Sequence, residues 1–239
     1  MILNTSANGD RNVGIGNNAY GGVVSGSTGF QNVAIGDSAL QSNITGNFNM
    51  AIGTSTLYFN ASGNGNTAIG IQSLYNNTAG SNLAFGFNAM FMNASGTQNV
   101  AIGNEAMYNN QGSQNVAVGH NAMRYYVNNN FGQTAVGYLA LVGNSASALN
   151  TGFRNTAIGT AVLTANTSGL GNTGVGYSSL TTNTSGSANT GVGEFALQNN
   201  TTGDKLTQCF SPSFLAIGDN DSRTRIKHLL RYFGKFTNN

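Results

Sequence analysis

Residues 63–77 read GNGNTAIGIQSLYNN and residues 96–110 read GTQNVAIGNEAMYNN. The shared phrase is Asn, any residue, Ala or Gly, Ile/Val/Phe, Gly, and it recurs along almost the whole chain. It closes at Gly16, Gly36, Gly53, Gly70, Gly86, Gly103, Gly119, Gly137, Gly159, Gly176 and Gly193, with a worn copy, FLAIG, ending at Gly218. Successive glycines lie 20, 17, 17, 16, 17, 16, 18, 22, 17, 17 and 25 residues apart. The period is therefore 17 with small insertions, too short for a helical-pair repeat of roughly 33 residues or more.

Each unit holds two short apolar segments. The first is the TAIG-like phrase. The second lies three and four residues beyond the glycine, as in Ala39-Leu40, Ser73-Leu74, Ala89-Met90 and Ala196-Leu197. Turn-forming links such as NITG (43–46) and NASG (60–63) follow, and Asn and Gly tolerate the left-handed backbone of tight corners. Two short strands and two corners per unit predict an all-β fold. This is a parallel β-solenoid or β-roll of about eleven coils over residues 1–203, roughly 50 Å long at ordinary strand spacing.

The columns of the repeat then predict roles. Ile15, Ile35, Ile52, Ile69 and their counterparts through Val192 are expected as one interior stack, with the Leu/Met column facing it across a thin core. The Asn column from Asn12 to Asn189 is expected to stack on itself as an amide ladder. The column before the Ile holds nothing larger than alanine: Ala34, Ala51, Ala68, Ala84, Ala101, Ala117, Ala135 and Ala157, with Gly14, Gly174 and Gly191. Alternation along a strand points it away from the Ile stack. It fits either a crowded place inside the coil or a surface pressed against another chain, since small residues mark close backbone approach of both kinds.

Composition excludes several function classes. Charged residues are 7% of the chain, against about 25% in ordinary soluble domains. Residues 1–203 balance Asp10, Asp37, Glu105 and Glu194 against Arg11, Arg124 and Arg154, and the remaining residues carry a small basic excess. So even a charge distribution does not suit nucleic acid, which needs phosphate-neutralising charge along a surface. One cysteine, Cys209, allows no intrachain disulfide. The opening MILNTSANGD lacks a basic stretch followed by an apolar run, so no secretory signal is read there. No run approaches the roughly 18 apolar residues of a membrane span.

No enzyme is expected: no catalytic, metal or cofactor-binding constellation is read. His120 and His228 have no carboxylate beside them, and GNGNTAIG is no phosphate loop because it recurs in every coil with no helix after it. The Asn-x-Ser/Thr triplets at Asn43, Asn60, Asn93, Asn166, Asn183 and Asn200 read as turn chemistry rather than glycosylation acceptors. Tyr58, Tyr75, Phe91 and Tyr108 recur five residues beyond the glycine. They are candidate glycan-stacking residues if exposed, and a ring stack covering the core otherwise. Residues 204–239 are expected as a degenerate last coil and a basic amphipathic helical cap. In SRTRIKHLLRYF, residues 222–233, Ile226, Leu229, Leu230 and Phe233 share one helical face.

These repeats resemble two families. GNGNTAIGIQSLYNNTAG is similar to the head repeats of trimeric autotransporter adhesins, and still more to the NNTAIGYNAL arrays of phage and large-virus tail-fibre proteins. The likeness covers roughly residues 10–203. It implies a left-handed β-roll, three chains side by side, in a stiff shaft or head on a virion surface, and it favours the small column, Ala34 through Ala157, as the trimer interface. The partners it implies are the chain itself as a homotrimer, other fibre components through the C-terminal tail, and a host surface glycan or protein. The alternatives are a bacterial surface adhesin head and a monomeric glycan- or ice-binding solenoid. The column of Thr67, Thr134, Thr156, Thr173 and Thr190 suggests the ice-binding one, but Val13, Met50 and Leu83 interrupt it. The 36 residues after Gly203 are too few for the self-cleaving chaperone domain found in some fibre proteins, so that activity is not expected.

Overall fold

Each TAIG phrase becomes a three-residue strand because a glycine ends it. Gly70, after Thr67–Ile69, has φ +127°, and a Cβ there would lie 2.5 Å from the carbonyl oxygen of Gly86 in the next coil. No L side chain fits both the backbone conformation and the space, so the column repeats Gly. In the computed structural model, which describes residues 11–21, 27–126, 131–145 and 149–209, the strands are β1 (Val13–Ile15), β2 (Val33–Ile35), β3 (Met50–Ile52), β4 (Thr67–Ile69), β5 (Leu83–Phe85), β6 (Val100–Ile102), β7 (Val116–Val118), β8 (Thr134–Val136), β9 (Thr156–Ile158), β10 (Thr173–Val175), β11 (Thr190–Val192) and β12 (Thr207–Cys209). They form one parallel sheet in sequence order. The register aligns like with like, for example Ala51 with Ala68 and Ile52 with Ile69. The fold is an all-β solenoid, and we number its coils by their strands.

The expected second strand is instead a series of turns. Ala39 and Leu40 are both fully buried, which strand alternation cannot provide for consecutive residues. Left-handed residues solve this: Ser38 has φ 56° and Leu40 φ 51°, and the same pair recurs at Gln72 and Leu74 and at Asn88 and Met90. A left-handed residue costs about 1–2 kcal/mol, and burying a Leu or Met side chain returns about 1.5–3 kcal/mol. Successive coils still hydrogen-bond here, as when Leu40 N donates to Thr56 O at 3.0 Å.

This geometry reverses two expected columns. The Leu/Met column fills the thin interior, leaving room opposite it for nothing larger than alanine. Ala34, Ala51, Ala68, Ala84, Ala101, Ala117, Ala135 and Ala157 are all fully buried within the one chain, so none of them forms a trimer interface. The Ile column, expected inside, points out: Ile15 is 43% exposed and Phe85 52%. In the later coils the position is tighter still. Gly174 and Gly191 stand where an added Cβ would meet Val162 Cγ1 at 2.5 Å and Ser179 Oγ at 2.6 Å.

The expected Asn ladder is present and buried. Asn49 N donates to Asn32 Oδ1 at 2.9 Å and Asn49 Nδ2 donates to Gly63 O at 2.8 Å. The pattern continues through Gln133 to Asn189, whose Oδ1 receives Leu206 N at 2.8 Å. A second ladder runs beside it, with Asn77 Nδ2 donating to Asn60 Oδ1 and Asn93 Nδ2 to Asn77 Oδ1, both at 3.0 Å, and the two ladders share acceptors such as Gly63 O, which also receives Asn60 Nδ2 at 2.9 Å. Amide stacks satisfy corner backbone groups that the thin core would otherwise leave unpaired.

The sheet continues past Gly203. β12 uses Thr207, Gln208 and Cys209 at an unbroken spacing of 17, so the twelfth strand is not the FLAIG phrase. Gln208 takes the alanine position and accepts a hydrogen bond from Leu197 N at 2.6 Å through its side-chain oxygen, which puts a polar group where the other strands bury alanine or glycine. FLAIG, the helical segment 222–233 and the tail as a docking element lie outside the described residues.

Candidate functional site

With alanine inward, the two residues flanking it in every strand face outward. One column is Val13, Val33, Met50, Thr67, Leu83, Val100 and Val116, then Thr134, Thr156, Thr173, Thr190 and Thr207; the other runs from Ile15 to Cys209. Neither contains a charged residue. Beyond the closing glycines, Ile71, Phe87, Tyr138 and Tyr177 widen the strip in four coils, each 45–51% exposed, in a column that also holds the exposed Asp37, His120 and Glu194. Twelve strands of three residues give a flat strip about 50 Å by 10 Å, on the order of 500 Å². Contiguous apolar surface beyond a few hundred Å² marks an interaction surface. This outer face is the candidate site. Its residues were visible in the sequence, but as core.

The candidate glycan-stacking residues form a ladder. Tyr58 and Tyr75 are stacked with centroids 5.1 Å apart, Tyr75 and Phe91 5.0 Å, and Phe91 and Tyr108 5.2 Å. All four are half-buried. Each inner ring spends its faces on its neighbours, and the ends are occupied too. Phe59 meets Tyr58 edge-on at 4.6 Å, and the Arg124 guanidinium lies 5.6 Å from the Tyr108 centroid. Arg124 is held there by Glu105 at 2.9 Å. Sugars stack on free ring faces, and this ladder offers edges and hydroxyls instead, so the geometry supports packing rather than glycan stacking.

Other sequence features resolve on burial. Asn43, Asn60, Asn93, Asn166 and Asn183 are the second amide ladder, at most 1% exposed, so in the folded chain these Asn-x-Ser/Thr positions are structural. His120 is exposed and stacks on Tyr138 at 5.7 Å. Among the described residues no group of three or more His, Cys, Asp or Glu is placed to hold a metal ion, and no helix is long and apolar enough to cross a membrane.

One buried titratable group stands out. Tyr126 takes the ladder position held by Asn in other coils, is fully buried, and donates to Asn166 O at 2.8 Å, while Asn166 Nδ2 donates to its oxygen at 3.3 Å. Burial drives its phenol well above the ordinary tyrosine range, and the Asn166 hydrogen bond opposes part of that shift. The substitution from Asn was legible in the repeat alignment, but its role as a strut between two coils was not. Comparison with protein-family models, curated proteins and solved structures finds no match, so the functional reading rests on the residues and the fold.

Proposed function

We propose that the chain is a structural segment of a virus or phage fibre or spike, a stiff shaft on the virion surface used in attachment to a host. In this reading three copies lie side by side along the outer face of β1–β12. The observation that carries it is the uncharged strip of the two strand-flank columns, mostly Ile, Val and Thr, continuous over twelve coils on an otherwise Asn-, Thr- and Gly-rich surface. Burying about 25 cal/mol per Å² of such surface supplies the driving force for association that a coil with a thin core does not need for itself. The resemblance of the NTAIG repeats to fibre arrays supports the same reading. The interface moves from the small column, which is internal, to the Ile/Val and Val/Thr columns.

Light scattering after size-exclusion chromatography tests it. The expected mass is three times 24.6 kDa. Phe85→Glu with Ile102→Glu, two half-exposed or exposed outer-face positions, is expected to give a single-copy mass with an unchanged circular dichroism spectrum. A wild-type chain of single-copy mass at micromolar concentration would overturn the proposal.

A further inference from the structure

At the corner before the strand, the position two residues ahead of the Asn ladder carries in five coils a side chain that receives a backbone N–H from the preceding coil. Asn47 Oδ1 takes Phe30 N at 2.9 Å, Asn64 Oδ1 takes Asn47 N at 2.8 Å, Ser113 Oγ takes Thr97 N at 3.0 Å, Ser187 Oγ takes Leu170 N at 3.1 Å, and Asp204 Oδ1 takes Ser187 N at 2.6 Å. In coils 8, 9 and 10 this position holds Phe131, Phe153 and Leu170, as coil 2 holds Phe30 and coil 5 Gly80, and none of these side chains accepts a hydrogen bond. Phe131 is 39% exposed, Leu170 is 37%, and Phe153 is half-buried. A polar ladder is given up here without a core being gained. Among the described residues, the corner at Phe131 and Phe153 differs from that at Phe30 in carrying a cation over its rings.

The charge at this corner is uncompensated. Arg154 lies over both rings, 5.2 Å from the Phe131 centroid and 5.5 Å from that of Phe153, and the two rings stack at 5.0 Å. Between Glu105 and Glu194 the sequence contains no Asp or Glu, and Glu105 is taken by Arg124. Asp204, in the same corner column, is three coils away, about 14 Å at strand spacing, which exceeds the roughly 10 Å Debye length at 0.1 M salt. The segment 210–239 has two acids, Asp219 and Asp221, against five Lys and Arg.

We propose that Phe131, Phe153, Arg154 and Leu170 form a binding site for a carboxylated sugar, the guanidinium pairing with the carboxylate and the ring edges and the Leu170 side chain packing beside it. A planar fork of donors suits a carboxylate, and its rings keep it oriented. Two rings and one cation span a single sugar, far short of the roughly 800 Å² per partner of a stable protein contact. The site deepens the attachment reading and rests on it. It occupies a corner, so it stays open whether or not the outer face is covered.

Ligand-observed NMR titration of the full chain with sialyllactose, and with lactose as the neutral counterpart, tests the site. The expected result is binding of sialyllactose at least about tenfold tighter than lactose, an equally large loss in Arg154→Gln and in Phe153→Ala, and no change in Arg124→Gln. Equal binding of the two sugars, an Arg154→Gln variant that binds like wild type, or a glutamate-rich peptide that binds more tightly than sialyllactose would overturn it. Tighter sialyllactose binding by Asp219→Asn with Asp221→Asn would place the chain's own tail in the site and overturn it too. Light scattering on the same samples reports chain association separately, so failure of the sugar site and failure of the fibre reading are distinguishable.

Discussion

The pairing of Gly174 with Val162 makes a quantitative claim about the interior. Gly174 sits in a strand without a left-handed φ, so an alanine there would by itself gain about 0.5–1 kcal/mol in backbone terms. Its methyl, however, would lie 2.5 Å from Val162 Cγ1, against about 3.5–4 Å for ordinary carbon contact. Relieving an overlap of 1 Å or more costs about 1–3 kcal/mol in a packed core, so Gly174→Ala is expected to destabilise by about 1–2 kcal/mol. Val162→Ala removes two carbons at about 0.8 kcal/mol each and leaves a small void, about 2 kcal/mol in all. The double variant recreates the Ala–Ala pairing of other coils, such as Ala106 with Ala117, both fully buried. It should cost no more than about 1 kcal/mol. The coupling is then about 2 kcal/mol or more in favour of the pair, read from urea unfolding of the four proteins at one protein concentration. Additivity within about 0.5 kcal/mol, the behaviour of independent sites, would refute the reasoning that strand and turn columns share one fixed volume.

Three further outcomes are expected. Gly70→Ala meets both a φ of +127° and a carbonyl at 2.5 Å, and should cost more than about 3 kcal/mol, seen as a large drop in urea midpoint or loss of soluble protein. Asn99→Ala removes the side-chain acceptor for Asn115 N and the donor to Gly112 O, bonds of 3.0 and 2.8 Å. Gly112 O keeps the Asn110 Nδ2 donor at 3.0 Å, so the cost is that of the lost acceptor for the buried Asn115 N, about 1–3 kcal/mol, whereas Gln98→Ala on the exposed corner should change stability by less than about 0.5 kcal/mol. Tyr126 is held protonated in the folded chain while the unfolded chain ionises near pH 10. The unfolded state therefore binds fewer protons above pH 10, and stability falls by up to about 1.4 kcal/mol per pH unit there. Tyr126→Phe should lower stability at neutral pH through its lost hydrogen bonds and flatten the alkaline decline, measured by denaturant unfolding between pH 8 and 11.

The aromatic ladder shows how far residue type alone carries a functional reading. Spacing brought Tyr58, Tyr75, Phe91 and Tyr108 together correctly, but whether a ring offers its face or its edge depends on the 5 Å separation between coils. The corner at Phe131 and Phe153 was not singled out by the repeat, because Phe30 holds the same column position; it becomes visible only once Arg154 is placed over both rings.

The sequence by itself determined the solenoid, its period, the Asn ladder and the Leu/Met core, because each is a property of one column repeated at constant spacing. Only the tertiary structure decided which side of the strand is inside. A three-residue strand presents its middle residue to one side and its flanks to the other, and alternation leaves the choice of side open. The choice came from the turn segment: left-handed residues such as Leu40 and Leu74 let two consecutive side chains point inward and fill the core. Alanine was then the largest residue the strand had room to bury, and the isoleucines were left outside, where another molecule can meet them.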